Sequence, residues 1–136
     1  MISASLELVL LASSVRFGTQ PDDSELLDRY LTASHDFARS LSPLQRREHW
    51  ESVFHLLMET YCDSAVPAAW RRLCVDSVHR PLGELTLLSQ LDGEMSVLRR
   101  CLGVLKSYTD YLPMAATTVP GEFNDLSYAQ RPDSAM

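Results

Sequence analysis

The spacing of apolar residues constrains the fold most strongly, because these residues recur every three or four positions along most of the chain. The clearest instance is a stripe formed by Leu88, Leu91, Met95, Leu98, Leu102 and Leu105. A helix turns once in about 3.6 residues, so this spacing places all of these side chains on one helical face. We therefore predict one long helix from about Leu82 to Tyr108, and a kink at Gly93 is the alternative to a straight helix.

Proline, glycine and capping residues divide the preceding chain into four further helices. Ser42-Pro43-Leu44-Gln45 is the clearest local signal, because serine and glutamine form a capping box around a proline at the first helical position. The first helix is apolar on several sides, which is typical of a helix buried deep in a bundle. The predicted fold is therefore all-α, a compact bundle or angled array of about five helices with an irregular C-terminal tail. The four helices are predicted over residues 3–17, about 22–41, 43–62 and 67–78.

A change in composition after Leu112 separates the helical part from the tail. Residues 1–112 form the predicted helical interaction domain, and proline and glycine interrupt any long helix within residues 113–136. The tail is expected to be flexible or docked. Its small apolar cluster resembles a short binding motif, so a linker followed by a native or fused peptide is one interpretation. The motif consists of Phe123, Leu126 and Tyr128.

Charge and cysteine content narrow the functional classes. The formal net charge of −6 opposes general nucleic-acid binding, which requires a basic surface to displace counterions from phosphate. No apolar stretch approaches the length of a membrane span, and we expect no membrane partner. The three cysteines, Cys62, Cys74 and Cys101, are interpreted as buried free thiols in a reducing compartment. We therefore expect an intracellular protein, nuclear or cytoplasmic.

Motifs with a defined chemistry are missing from the sequence. Zinc sites usually show Cys-x-x-Cys, His-x-x-x-His or Glu-x-x-His spacing, and none of these occurs. Neither a nucleophile elbow nor a phosphate-binding glycine loop is present. We predict no enzyme activity, no metal and no cofactor. A hydrolase whose Cys/His site is assembled by the fold is a weakly supported alternative.

Arginine is the residue type that most suggests a binding surface. Every basic residue except Lys106 is an arginine, and three arginine pairs fall on different predicted helices. Arginine holds carboxylates with two parallel hydrogen bonds, so converging pairs would frame a site for an acidic peptide. Solvated charges that pair locally, such as Arg47 with Glu51, are the alternative. The predicted partner-binding residues are Arg46, Arg47, Arg71, Arg72, Arg99, Arg100, Leu88, Leu91, Met95 and Leu98.

These observations favour a non-enzymatic adaptor or scaffold domain. It would bind a helix or a short acidic-apolar peptide of another protein in a groove between helices. The alternative is an obligate homo-oligomer, or a subunit of a larger complex, with the Leu88–Leu105 stripe as its seam. A helix-turn-helix reader of nucleic acid built on the turn at Ser42-Pro43 is a third class, which the acidic charge opposes.

Overall fold

Helices are the regular elements throughout the described part of the chain. The computed structural model describes the backbone of residues 4–111 and the side chains of residues 5–108, and the all-α class is confirmed there. The predicted tail motif of Phe123, Leu126 and Tyr128 lies outside the described residues. The helices are α1 (Ala4–Phe17), α2 (Ser24–Ala38), α3 (Pro43–Tyr61), α4 (Ala68–Asp76), α5 (His79–Asp92) and α6 (Ser96–Tyr111).

The junction between α2 and α3 is held by side chains that satisfy helix ends. The predicted capping box is confirmed, since the Gln45 amide donates to Ser42 Oγ over 3.2 Å and the Ser42 amide donates to Gln45 Oε1 over 3.1 Å. Arg46 reaches back from α3, and its Nε and Nη2 donate over 3.0 Å to the carbonyls of Ala38 and Leu41. The last carbonyl of α2 and a carbonyl of the connection to α3 therefore find a partner in the Arg46 side chain.

The predicted long C-terminal helix is wrong at Gly93, where α5 ends. Gly93 adopts φ 76°, a left-handed conformation that suits glycine. Side chains then fix the turn: Ser89 Oγ donates to the Glu94 carbonyl over 2.8 Å, and the Glu94 amide donates to Asp92 Oδ1 over 3.0 Å. The carboxylate of Glu94 accepts from the amide of Ser96, where α6 begins. The apolar stripe is therefore divided between two helices.

The core lies within the unit formed by residues 1–101, in which α3 packs against α1, α2, α4 and α5. Trp50 and Trp70 are 2% and 1% exposed, as their positions on apolar stripes predict. The indole Nε1 of Trp70 donates to the Val15 carbonyl over 2.8 Å, which ties α4 to the end of α1. Residues from Leu102 onward form a second unit, of which the structure describes Leu102–Tyr111.

Candidate functional site

The outer side of α1 carries large apolar side chains that the described residues leave exposed. Val9, Leu10 and Phe17 are 61%, 54% and 61% exposed, whereas Val15 on the same helix is fully buried. At about 100° per residue, these three residues lie about 120–160° around the helix from Val15. The expectation that α1 is buried on several sides is therefore wrong, since only one side packs into the core. We call Val9, Leu10 and Phe17 the α1 face.

Ion pairs fix the C-terminal end of the α1 face. The guanidinium of Arg16 lies 5.3 Å from the ring centroid of Phe17, within the range of a cation–π contact. Arg16 Nη1 also donates to Asp63 Oδ2 over 2.8 Å, and Nε lies 3.8 Å from Glu59 Oε1. The hydrogen bond from Arg16 holds the pKa of Asp63 below its ordinary value. These contacts link the end of α1 to α3 and to the loop that follows it.

The arginines predicted to bind a partner make hydrogen bonds within the protein at four of the six positions. Arg46 caps α2, as described above. Arg47 is buried, and its Nη2 lies 2.8 Å from both carboxylate oxygens of Asp92, which keeps the pKa of Asp92 below its ordinary range. The suggested local pair of Arg47 with Glu51 is replaced by this bond between α3 and α5.

One member of each remaining arginine pair makes a hydrogen bond within the protein, and Arg100 does so while it is exposed. Arg71 Nε donates to the Val66 carbonyl over 3.0 Å, and Arg100 Nη2 donates to Glu51 Oε2 over 3.0 Å. Arg72 and Arg99 are exposed. Much of the hydrogen-bonding capacity predicted for an acidic peptide is thus directed to the protein's own carbonyls and carboxylates.

The leucine-class members of the predicted site divide between core and surface. Leu88 and Leu98 are each 6% exposed and belong to the core, and Met95 is half-buried. Leu91 is 82% exposed, and Leu87, one turn earlier on α5, is 56% exposed. The division already falls within α5, since Leu88 and Leu91 both precede the break at Gly93.

A second feature is a shallow cavity of about 210 Å³. At its lining, His35 Nδ1 lies 3.4 Å from Glu84 Oε2. Residues from α2, α3 and α5 contribute, so helix pairing in three dimensions assembles it and no sequence pattern marks it. The lining residues are His35, Ala38, Arg39, Arg46, Trp50 and Glu84.

A third feature is a cluster of possible metal ligands on α3 and α6. One ligand atom from each of Glu51, His55 and Cys101 lies within 4.8 Å of the other two. Burial, with a further contribution from the Glu51 carboxylate, raises the pKa of the Cys101 thiol to about 11. The motifs considered in the sequence did not identify this group. The Glu51-x-x-x-His55 spacing does, however, place two possible ligands one helical turn apart on the same face. Cys62, in contrast, is an exposed free thiol rather than a buried one.

Comparisons with known proteins provide no assignment, since no family model, curated protein or solved structure matches the chain. Among the described residues, no helix has both the length and the apolar character needed to cross a membrane.

Proposed function

We propose that this protein is a non-enzymatic interaction domain that binds an amphipathic helix of another protein on the α1 face. The observation that carries the proposal is that α1 is apolar on two sides while the described residues cover only one. A helix that is apolar all round normally has both sides covered. Contiguous exposed apolar surface typically marks a site of association, whereas single exposed apolar residues are ordinary.

The geometry of the α1 face suits a helical partner. Leu10 and Phe17 are seven residues apart, so they stand two turns apart on the same side, about 10 Å along the axis. Val9 widens the surface next to Leu10. An amphipathic helix that lies along such a ridge anchors itself with residues at the same spacing. We infer an apolar stripe on the partner, because the three side chains of the α1 face offer no charge and no hydrogen-bonding group.

Charges near the α1 face indicate the flanks of the partner helix. Glu7 is exposed in the first turn of α1. At the other end of the helix, the positive charge of Arg16 meets the two negative charges of Glu59 and Asp63, so the local net charge is negative. A partner with basic residues beside its apolar stripe would complement this border. The predicted acidic partner is less favoured, because Arg46, Arg47, Arg71 and Arg100 make the internal bonds described above.

A homo-oligomer built on the Leu88–Leu105 stripe is less well supported than a separate partner. A seam needs one continuous helical face, and the turn at Gly93 divides this stripe. Leu88 and Leu98 are also already buried in the core. We place the interaction inside the cell, in the nucleus or cytoplasm, where the three unpaired thiols stay reduced.

Site-specific photocrosslinking of the full chain tests the proposal. A benzophenone amino acid replaces Leu10, and the matched control carries it at Thr32, an exposed position on α2. Each chain is irradiated in cell extract, the crosslinked peptides are sequenced, and the captured segment is then produced as a synthetic peptide. We expect position 10, and not position 32, to capture an apolar helical segment.

The affinity of the synthetic peptide for the protein and for two variants then tests whether the α1 face is the binding surface. Leu10→Glu should weaken its affinity at least about tenfold, equivalent to about 1.4 kcal/mol, whereas Thr32→Glu should leave the affinity unchanged. The proposal is overturned if position 10 crosslinks to residues 112–136 of the same chain or to a second copy of it. Capture of lipid, or equal capture at both positions, also overturns it.

A further inference from the structure

We propose that Glu51, His55 and Cys101 form a binding site for Zn²⁺ between α3 and α6. The first two residues are four apart on α3, so their side chains stand on the same face one turn apart. Cys101 comes from α6 and is fully buried. One oxygen, one nitrogen and one sulfur atom therefore meet within 4.8 Å of one another.

The chemistry of the three ligands selects the metal. Zn²⁺ binds carboxylate oxygen, imidazole nitrogen and thiolate sulfur, with bond lengths of about 2.0–2.3 Å. Mg²⁺ and Ca²⁺ prefer sites made of oxygen alone, and a thiolate does not suit them. Three protein ligands leave the fourth tetrahedral position open for water or a ligand from another molecule.

Small side-chain movements close the cluster around the ion. Ligand atoms in a zinc tetrahedron lie about 3.5 Å apart, by the bond lengths above, so the cluster must contract by about 1 Å. Glu51 and His55 are half-buried and have room to rotate, whereas Cys101 is held in the core. The ion would therefore assemble on a fixed sulfur and two adjustable ligands.

Arg100 supports the carboxylate ligand from outside the cluster. Its Nη2 donates to Glu51 Oε2 over 3.0 Å, and the same oxygen lies 3.7 Å from His55 Nε2. A carboxylate has lone pairs on both oxygens, so Glu51 can accept this hydrogen bond and still bind the ion. Hydrogen bonds of this kind orient metal-binding carboxylates. Arg100 also balances the charge of Glu51 before the metal arrives, which allows the cluster to exist without the ion.

Binding is coupled to loss of a proton. The S–H bond of Cys101 breaks, a sulfur–zinc bond forms, and the proton passes to solvent.

Titration of the full chain with Co²⁺, followed by displacement with Zn²⁺, tests the proposal. A thiolate bound to Co²⁺ gives a charge-transfer band in the near ultraviolet, and tetrahedral coordination gives intense visible bands. We expect both sets of bands to saturate at one metal ion per chain and to disappear on addition of Zn²⁺. Absence of the charge-transfer band overturns the proposal.

Variants identify the ligands. Cys101→Ser should abolish the charge-transfer band, and His55→Gln should weaken metal binding at least about tenfold, whereas Cys62→Ser, at the exposed thiol, should change neither. Circular dichroism checks that each variant is folded. If Cys101→Ser fails to fold, the half-buried His55 provides the test. A band that persists in Cys101→Ser, an unchanged affinity in His55→Gln, or loss of the band in Cys62→Ser overturns the proposal.

Discussion

Replacing Gly18 by alanine should destabilise the protein more than the same change at any other described glycine. Gly18 adopts φ 59°, and a Cβ built on it would lie 2.9 Å from Val66 Cγ1 and 3.1 Å from Trp70 Cδ1. The left-handed conformation costs a residue with a Cβ about 1–2 kcal/mol. Forcing a methyl group into packed surroundings adds about 1–3 kcal/mol. We expect the free energy of unfolding to fall by about 2–5 kcal/mol.

Two matched glycines separate the two contributions. Gly93 has φ 76° but no atom within 4 Å of the added Cβ, so Gly93→Ala should cost only the conformational strain, about 1–2 kcal/mol. Gly83 lies in α5 with an ordinary backbone and open space, so Gly83→Ala should stabilise the protein by about 0.5–1 kcal/mol. The loss in free energy of unfolding should be larger for Gly18→Ala than for Gly93→Ala. The difference between the two losses measures the cost of crowding against Val66 and Trp70.

Equilibrium unfolding in urea, followed by circular dichroism, provides the free energies. The slope of the transition should be the same in all variants, which shows that the change is in stability and not in the surface exposed on unfolding. Equal losses for Gly18→Ala and Gly93→Ala would refute the packing described around Gly18. A destabilising Gly83→Ala would refute the helical conformation assigned to Gly83.

Three further predictions follow from side chains described above. Because Arg47 lowers the folded-state pKa of Asp92, this carboxylate stabilises the fold above its unfolded pKa and ceases to do so as pH falls through the folded value. Below about pH 4, the melting temperature of Asp92→Asn should therefore fall less steeply with decreasing pH than that of the unmodified protein. Equal slopes of melting temperature against pH for the two proteins would contradict this. Cys62 should react with a thiol reagent in the folded protein while the two buried cysteines react only after unfolding; rapid labelling of all three thiols would contradict this burial. Ser42→Ala should cost about 1 kcal/mol through loss of the cap, whereas Ser52→Ala, at an exposed position on α3, should cost nothing. Equal urea midpoints for these last two variants would argue against the capping box.

The helical fold was predictable where the determining interactions are local. The capping box at Ser42 and the core positions of Trp50 and Trp70 each follow from a few neighbouring residues. At Gly93 the sequence offered a kink as the alternative to a straight helix, but it did not predict the end of the helix, because the apolar spacing continues through this residue without interruption. What ends the helix is a set of hydrogen bonds among side chains and backbone groups of the turn, and periodicity does not report them.

The candidate sites were less predictable from the sequence than the helices, because tertiary packing brings their residues together. The sequence shows that α1 is apolar on several sides, but only the packing of α2 and α3 against it determines which side is covered. The pairing of Glu51 with His55 can be read from helical spacing. Cys101 joins them through tertiary packing within the unit of residues 1–101, which no local pattern encodes. The arginine pairs attracted a functional interpretation because sequence alone does not reveal which carbonyls and carboxylates they meet.

The bonds that Arg46 makes to the end of α2 have a consequence for the order of folding. They join residues eight and five positions apart, so they close only short loops and require little loss of chain entropy. Local contacts of this kind can form before distant helices meet. We therefore expect the junction between α2 and α3 to form early in folding, before the contacts that bring distant helices together.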